Sequence, residues 1–232
     1  MSAGPTTGPV RAIAAAALLA LSACSNDPCR APAPPPLTAA DSVLLQPESA
    51  AFRQRPPDTF HVVLATSKGP LTLEIIRAWA PLGAYRFYNL VRNGFYDGSR
   101  FYRVVPGFVA QFGTSGRPDV DLTWVQQQLP DDPVRMSNAQ GTITFAMARP
   151  GTRTTQVFIN YQDNPSLDSA GFAPFGRVIR GQEVLRHLNS DYGEPQPGGK
   201  GPRWECMIRG GNAYLERRYP KLDYIRSARI LR

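Results

Sequence analysis

The chain is poor in the side chains that most ionic and metal chemistry depends on. Lys68, Lys200 and Lys221 are the only lysines among 26 basic residues, and His61 and His187 are the only histidines in 232 residues. The remaining positive charge is arginine scattered along the chain, so the formal net charge of +8 describes a solvated basic surface and lacks the patch or stripe of a nucleic-acid binder. Cysteine is limited to Cys24, Cys29 and Cys206. No His/Cys cluster has zinc-site spacing, and no metal is expected. No serine sits in a G-x-S-x-G elbow, and neither histidine has the pattern of a triad base. The segment 193–201 is glycine-rich, but it carries two prolines and lacks the Gly-Lys-Ser/Thr ending of a phosphate loop; it reads as a flexible surface loop. Asp131-Asp132, flanked by prolines, reads as an exposed turn.

What is present begins with an address. Arg11 supplies a positive n-region, and Ile13 to Leu21 is an apolar run of Ala and Leu, shorter than the roughly 20 residues needed to span a bilayer. It ends in Leu21-Ser22-Ala23-Cys24, which resembles a bacterial lipoprotein box. Residues 1–23 are therefore read as a lipoprotein signal and Cys24 as the lipidated residue, anchoring the chain to a bacterial membrane outside the cytoplasm. Losing Arg11 with the signal leaves the mature charge at +7. Residues 24–58 form a Pro-rich linker, with 31–36 extended as a spacer and a loose helix over 41–52.

From Phe60 the periodicity changes. Phe60–Thr66 and Leu71–Ile76 read as strands joined at Ser67-Lys68-Gly69-Pro70. A helix follows, with Pro81 in its first turn, Ala84, Phe87, Tyr88 and Val91 on one face, and Gly94 to stop it. Short strands recur over 101–105, 109–112, 141–148, 155–160 and 175–179. A second helix covers 182–188. The run 203–209 alternates apolar and charged residues like a half-buried strand. The domain is set at 59–211, and 212–232 is read as a C-terminal helical extension clasping it. Many short strands with few helices indicate a mainly β fold, a closed antiparallel barrel.

One stretch is highly specific: Phe101-Tyr102-Arg103-Val104-Val105-Pro106-Gly107-Phe108-Val109-Ala110-Gln111. A single arginine lies inside an apolar strand, where charge is costly unless it is paired or used. Three further stretches follow in order, 141–148, 155–160 and Leu167-Asp168 with Phe175-Gly176-Arg177-Val178. Together the four resemble the cyclophilin family, from about Phe60 to about Leu188. The resemblance implies an eight-stranded antiparallel β-barrel capped by two α-helices and peptidyl-prolyl cis-trans isomerase activity without a cofactor. It also implies proline-containing polypeptides as partners. Leu129-Pro130-Asp131-Asp132-Pro133 and the tail from Gly211 further resemble a bacterial secreted branch.

Position by position, Arg103 matches the family's catalytic arginine and Gln111 the glutamine that orients it. Phe108 and Phe158 match the phenylalanines of the proline pocket, with Leu167 on its wall and Val109 where many members carry methionine. Ala148 and Arg149 match the groove segment that pairs with substrate backbone, where asparagine is usual in place of Arg149; Gln156 lies on the same wall. Phe172 stands where many eukaryotic members have histidine, and Ser166 where they have the tryptophan associated with cyclosporin binding. A non-catalytic, membrane-anchored chaperone module would need the pocket but not the arginine, so the full set favours an enzyme, expected to be a monomer. With Cys24 lipidated, Cys29 and Cys206 remain; Cys29 lies in the linker and Cys206 on the inward face of its strand, so the expectation is a buried, reduced Cys206 and no disulfide.

Overall fold

A computed structural model describes residues 27–29, 31–38 and 41–231, with Met1 and Gly4. Cys24 and most of the signal segment lie outside the described residues. β1 (Thr59–Thr66) and β2 (Gly69–Ile76) form a hairpin in which Val62 faces Leu73 and Leu64 faces Leu71, all fully buried. The two-residue alternation seen in the sequence thus becomes one apolar face. α1 (Pro81–Arg92) packs Ala84, Phe87, Leu90 and Val91 on that core. β3 (Arg103–Val105), β4 (Val109–Phe112), α2 (Pro118–Trp124), β5 (Thr142–Phe145), β6 (Val157–Asn160), α3 (Ser166–Ser169), β7 (Pro174–Arg180), α4 (Gln182–Arg186), α5 (Trp204–Arg218) and β8 (Ile225–Ile230) follow.

The eight strands make a single antiparallel sheet in the order β3-β4-β6-β5-β7-β2-β1-β8. Its two edge strands do not pair along their length. The curled sheet is drawn together by the segment before β3: Phe101 N–H donates to Asp223 O at 2.9 Å and Ile225 N–H to Ser99 O at 2.8 Å. Gly176 permits the tight β2–β7 approach, since a Cβ there would lie 2.4 Å from Glu74 O. Inside, Phe87, Tyr96, Phe112, Phe145 and Phe175 form a chain of tilted and edge-on ring contacts between 5.1 and 5.7 Å.

Three readings of these segments change. The run 203–209 is the start of a helix, α5, with Cys206, Met207 and Ile208 all buried; its backbone closes helically, Met207 N–H donating to Arg203 O at 3.0 Å. α5 bends at Gly211, whose φ is +53° and whose Cβ would meet Gly116 O at 2.3 Å, so only glycine fits. The extension is not wholly helical, because Ile225–Ile230 is a strand pairing with β1, Leu64 opposite Ala228. Finally, the segment read as a linker is docked. Two short 3-10 helices, Asp41–Leu45 and Ala50–Phe52, bury Leu44 and Phe52, and Trp124 Nε1–H donates to Leu44 O at 2.7 Å.

Cys29 and Cys206 are joined in a disulfide, against the expectation of a free buried thiol. The misreading of 203–209 hid it. On α5, Cys206 faces a second apolar cluster outside the barrel, with Tyr102, Met207, Tyr214, Leu215, Tyr219 and Leu222, and Cys29 completes that cluster. Asp132 also departs from the exposed turn expected of it. Its carboxylate is buried and accepts the Leu82 and Gly83 N–H groups, both at 2.9 Å, at an α1 N-terminus that has no local side-chain cap. Arg153, 3% exposed, pairs with it at 3.1 Å.

Candidate active site

β4 and β6 are buried on both faces. Ala110, Phe112, Val157 and Ile159 point into the barrel. The opposite face carries the site, and strand register builds it. Arg103 on β3 pairs with Gln111 on β4, which pairs with Phe158 on β6. Directly opposed residues of antiparallel strands share a face, so the three side chains stand in one row. Val105-Pro106-Gly107-Phe108 is a tight turn, with Gly107 at φ +73° and Phe108 N–H donating to Val105 O at 2.9 Å. Proline followed by a positive-φ glycine is what such a turn requires. It returns the Phe108 ring beneath the arginine, 5.3 Å from guanidinium carbon to ring centroid.

The far wall comes from α3 and the loop after it. Phe172 N–H donates to Leu167 O at 3.0 Å, and the Phe172 ring meets Phe158 edge-on at 5.7 Å. Asp168, part of the fourth motif, holds this wall from behind. Its carboxylate accepts Ser137 Oγ–H at 2.6 Å and both the backbone N–H and the side-chain amide of Asn138, at 2.8 and 2.7 Å; that amide also donates to Phe172 O. Desolvation tends to raise the pKa of Asp168, but the Ser137 and Asn138 hydrogen bonds outweigh it and hold the carboxyl below its ordinary value.

Arg103, Phe108, Val109, Gln111, Phe158, Leu167 and Phe172 thereby surround one cavity of about 300 Å³, completed by Ala146 and Met147. A second cavity of about 440 Å³ adjoins it, sharing Gln111, Ala146 and Met147 and adding Ala148, Gln156 and Trp204. Arg149 is exposed and lines neither. Of the matched positions it is the one the fold leaves outside.

The polar edge is a connected network. Arg103 Nη1 donates to Gln111 Oε1 at 3.0 Å, and Gln111 Nε2 donates to the Tyr102 hydroxyl at 2.7 Å. That hydroxyl donates to Gln156 Oε1. Burial pushes the Tyr102 pKa up, outweighing its bond to Gln111, so the phenol stays protonated. The guanidinium's other side is held by Glu194, Nε to Oε2 and Nη2 to Oε1, both 2.7 Å. Glu194 comes from the glycine-rich segment 193–201, which is hydrogen-bonded into place, against the flexible loop expected. Glu194 and Trp204 escaped the sequence reading because their roles arise from chain segments far from the motifs in sequence; Tyr102 lay inside the quoted 101–111 stretch, nine residues from Gln111, and was legible there. Ala146 and Met147 lay inside a quoted motif and were legible. Among the described residues no three His, Cys, Asp or Glu side chains gather as metal ligands.

Residues 61–209 match the family described as "Cyclophilin type peptidyl-prolyl cis-trans isomerase/CLD". The chain belongs to the cyclophilin-type peptidyl-prolyl cis-trans isomerases. Peptidyl-prolyl cis-trans isomerase A of Dickeya dadantii is 36% identical over 140 residues, covering 56% of this chain and 70% of that protein. The peptidyl-prolyl cis-trans isomerase of Acinetobacter baylyi is 32% identical over 147 residues, covering 58% and 77%. Among solved structures, a cyclophilin of Cryptosporidium parvum superposes with a TM-score of 0.55 at 19% identity, covering 75% of this chain and 98% of that one. The same protein determined in the presence of the dipeptide Ala-Pro gives 0.54 at 20% identity, covering 74% and 99%. The cyclophilin fold thus accounts for the barrel. The disulfide-bonded α5 cluster lies against the outside of that barrel, on the flank where Tyr102 meets Gln111.

Proposed function

We propose that the cavity beneath Arg103 binds the proline ring of X-Pro segments in exported proteins and that Arg103 drives rotation about the preceding peptide bond. The observation that carries this reading is the row of Arg103, Gln111 and Phe158 above an apolar pocket. Peptide resonance sets a barrier of roughly 18–20 kcal/mol, and at X-Pro the two isomers are close in energy but exchange slowly. In the twisted state resonance is lost and the proline nitrogen regains a lone pair. A guanidinium N–H can donate to it only then, so the bond favours the transition state over either ground state. Phe108, Phe158, Leu167 and Phe172 grip the ring while the preceding carbonyl swings. No nucleophile, metal or cofactor enters the step. The adjoining cavity of Ala148, Gln156 and Trp204 takes a neighbouring substrate side chain.

The reading places the domain outside the cytoplasm, anchored through lipid on Cys24. Support comes from the lipoprotein box and from the disulfide, which suits an oxidising compartment. Because Cys29 is bonded to α5 and lies five positions after Cys24, the chain between them reaches at most about 17 Å. The domain then rides close to the membrane, with its groove presented to newly exported chains.

The deciding experiment is NMR exchange on a short X-Pro peptide with and without the purified protein. Arg103→Ala is expected to lower the exchange rate by orders of magnitude with the fold intact. Arg103→Lys fails largely too, since an ammonium lacks the planar fork. Undiminished exchange in a folded Arg103→Ala protein refutes the mechanism. For the anchor, intact-mass analysis should find acyl chains on Cys24; soluble protein starting at another residue without lipid mass leaves only export standing.

A further inference from the structure

We infer that Glu194 is a positioning residue for the isomerase arginine: its carboxylate holds the Arg103 guanidinium side-on so that the remaining N–H groups point at the substrate. The inference rests on the reading of Arg103 given above. A guanidinium has five N–H donors in a fixed plane. Glu194 takes Nε–H and one Nη2–H, and Gln111 takes one Nη1–H. One N–H on Nη1 and one on Nη2 remain for substrate. Two parallel bonds to one carboxylate set both the plane and the rotation of the group, which a single bond to Gln111 leaves free to swivel. Glu194 is not among the residues lining the proline cavity, so it grips the arginine from outside without filling the space the ring needs.

The loop is built to present this carboxylate. Gly201 N–H donates to Glu194 O at 2.8 Å, and Gly199 N–H to Pro195 O at 3.1 Å, closing the segment on itself. A Cβ on Gly199 or Gly201 would lie 2.4 or 2.8 Å from Glu194 O, so both glycines are required for that closure. The loop is then fastened to the outer cluster, Gln196 Nε2 donating to the Tyr219 hydroxyl at 3.3 Å and that hydroxyl to Gly201 O at 3.2 Å. Glu194 itself is 41% exposed and Arg103 23%, so the pair sits at the rim, where orientation rather than burial is what the carboxylate supplies.

The test compares Glu194→Gln with the unaltered protein in the peptide-exchange assay, resolved into kcat and KM, beside the Arg103 Nε–H resonance and the melting temperature. Glutamine keeps the size but offers one acceptor oxygen in place of two. The expected result is a kcat about tenfold lower with KM within about twofold, an upfield-shifted Arg103 Nε–H and an unchanged melting temperature. Glu194→Asp should restore part of the rate, and in an Arg103→Ala background Glu194→Gln should add no further loss. An unchanged or raised kcat in Glu194→Gln overturns the inference; a raised one would make the contact an inhibitory clamp. Full activity in Arg103→Ala overturns the arginine mechanism itself, and this inference with it, whatever Glu194→Gln does.

Discussion

Removing the Cys29–Cys206 link, by reduction or by Cys206→Ser, should cost this isomerase much of its stability. The bond closes a loop of 177 residues. In the chain-entropy description, a cross-link stabilises by restricting the unfolded chain, and a loop of that length is worth roughly 5 kcal/mol at 25 °C. The native side loses less, because Tyr102, Met207, Tyr214, Leu215, Tyr219 and Leu222 still pack around the site of the bond. For a protein of this size each kcal/mol moves the melting temperature by about 2–4 °C, so the expected fall is on the order of 10–20 °C. The assay is thermal unfolding with and without reductant, repeated on Cys206→Ser as a control that reductant should not affect. Peptide mapping of alkylated, non-reduced protein establishes the bond in the sample used. If the linked peptide is present and reduction leaves the melting temperature unmoved, the loop-closure reasoning fails. A loss confined to the first residues of the described chain, seen by hydrogen exchange with the barrel unaffected, would also refute it, since the bond would then fasten only the N-terminal arm.

Three other outcomes can be checked. Asp121, within α2, is buried; desolvation pushes its pKa up to about 7, against the bonds it accepts from Ser115 and Gly116. The unfolded state therefore releases its proton first, and stability should fall as pH rises from about 4 to about 7, by on the order of 4 kcal/mol; chemical denaturation across that window should show the slope, and Asp121→Asn should abolish it. Asp132→Ala uncaps α1 and leaves the buried Arg153 with Asp131 as its remaining carboxylate partner, and a loss of about 2–3 kcal/mol is expected by denaturant titration. Ser166 is exposed at the start of α3, at the position where the family resemblance puts the tryptophan associated with cyclosporin binding, so inhibition should be weak and should strengthen in Ser166→Trp, read by titration of isomerase activity; tight inhibition of the unaltered protein would show that Ser166 does not stand at that position.

The site was largely legible before the fold because its apolar members sit in short contiguous motifs whose spacing encodes their geometry. Arg103, Phe108 and Gln111 lie within nine residues, joined by a turn whose Pro-Gly chemistry is explicit in the sequence. Phe158 and Leu167 follow in motifs of their own. The hairpin β1–β2 and the face of α1 were legible for a similar reason, since alternation and the i, i+3, i+4 pattern are local consequences of strand and helix geometry. The strands at 142–145 and 157–160 are shorter than the runs 141–148 and 155–160 suggest: Ala146-Met147-Ala148 carries the apolar run past the paired residues, and Thr155-Gln156 lies ahead of the strand.

The sequence by itself determined the barrel's strand alternation, the turn beneath the arginine and the pocket's aromatic content. Tertiary structure alone decided the rest. That Cys29 meets Cys206 depends on a helix folding back from 204–218 across the barrel, a contact over 177 residues that no local pattern reports. That Asp132 caps α1 depends on a loop meeting a helix end 49 residues away. That Glu194 reaches Arg103 depends on a loop closed by its own glycines and brought to β3 across 91 residues of sequence. Each is a polar or covalent contact between distant segments. Such contacts leave no periodicity in the chain, because one side chain and one partner suffice, whereas burial must recur at every turn or every second residue to build a core.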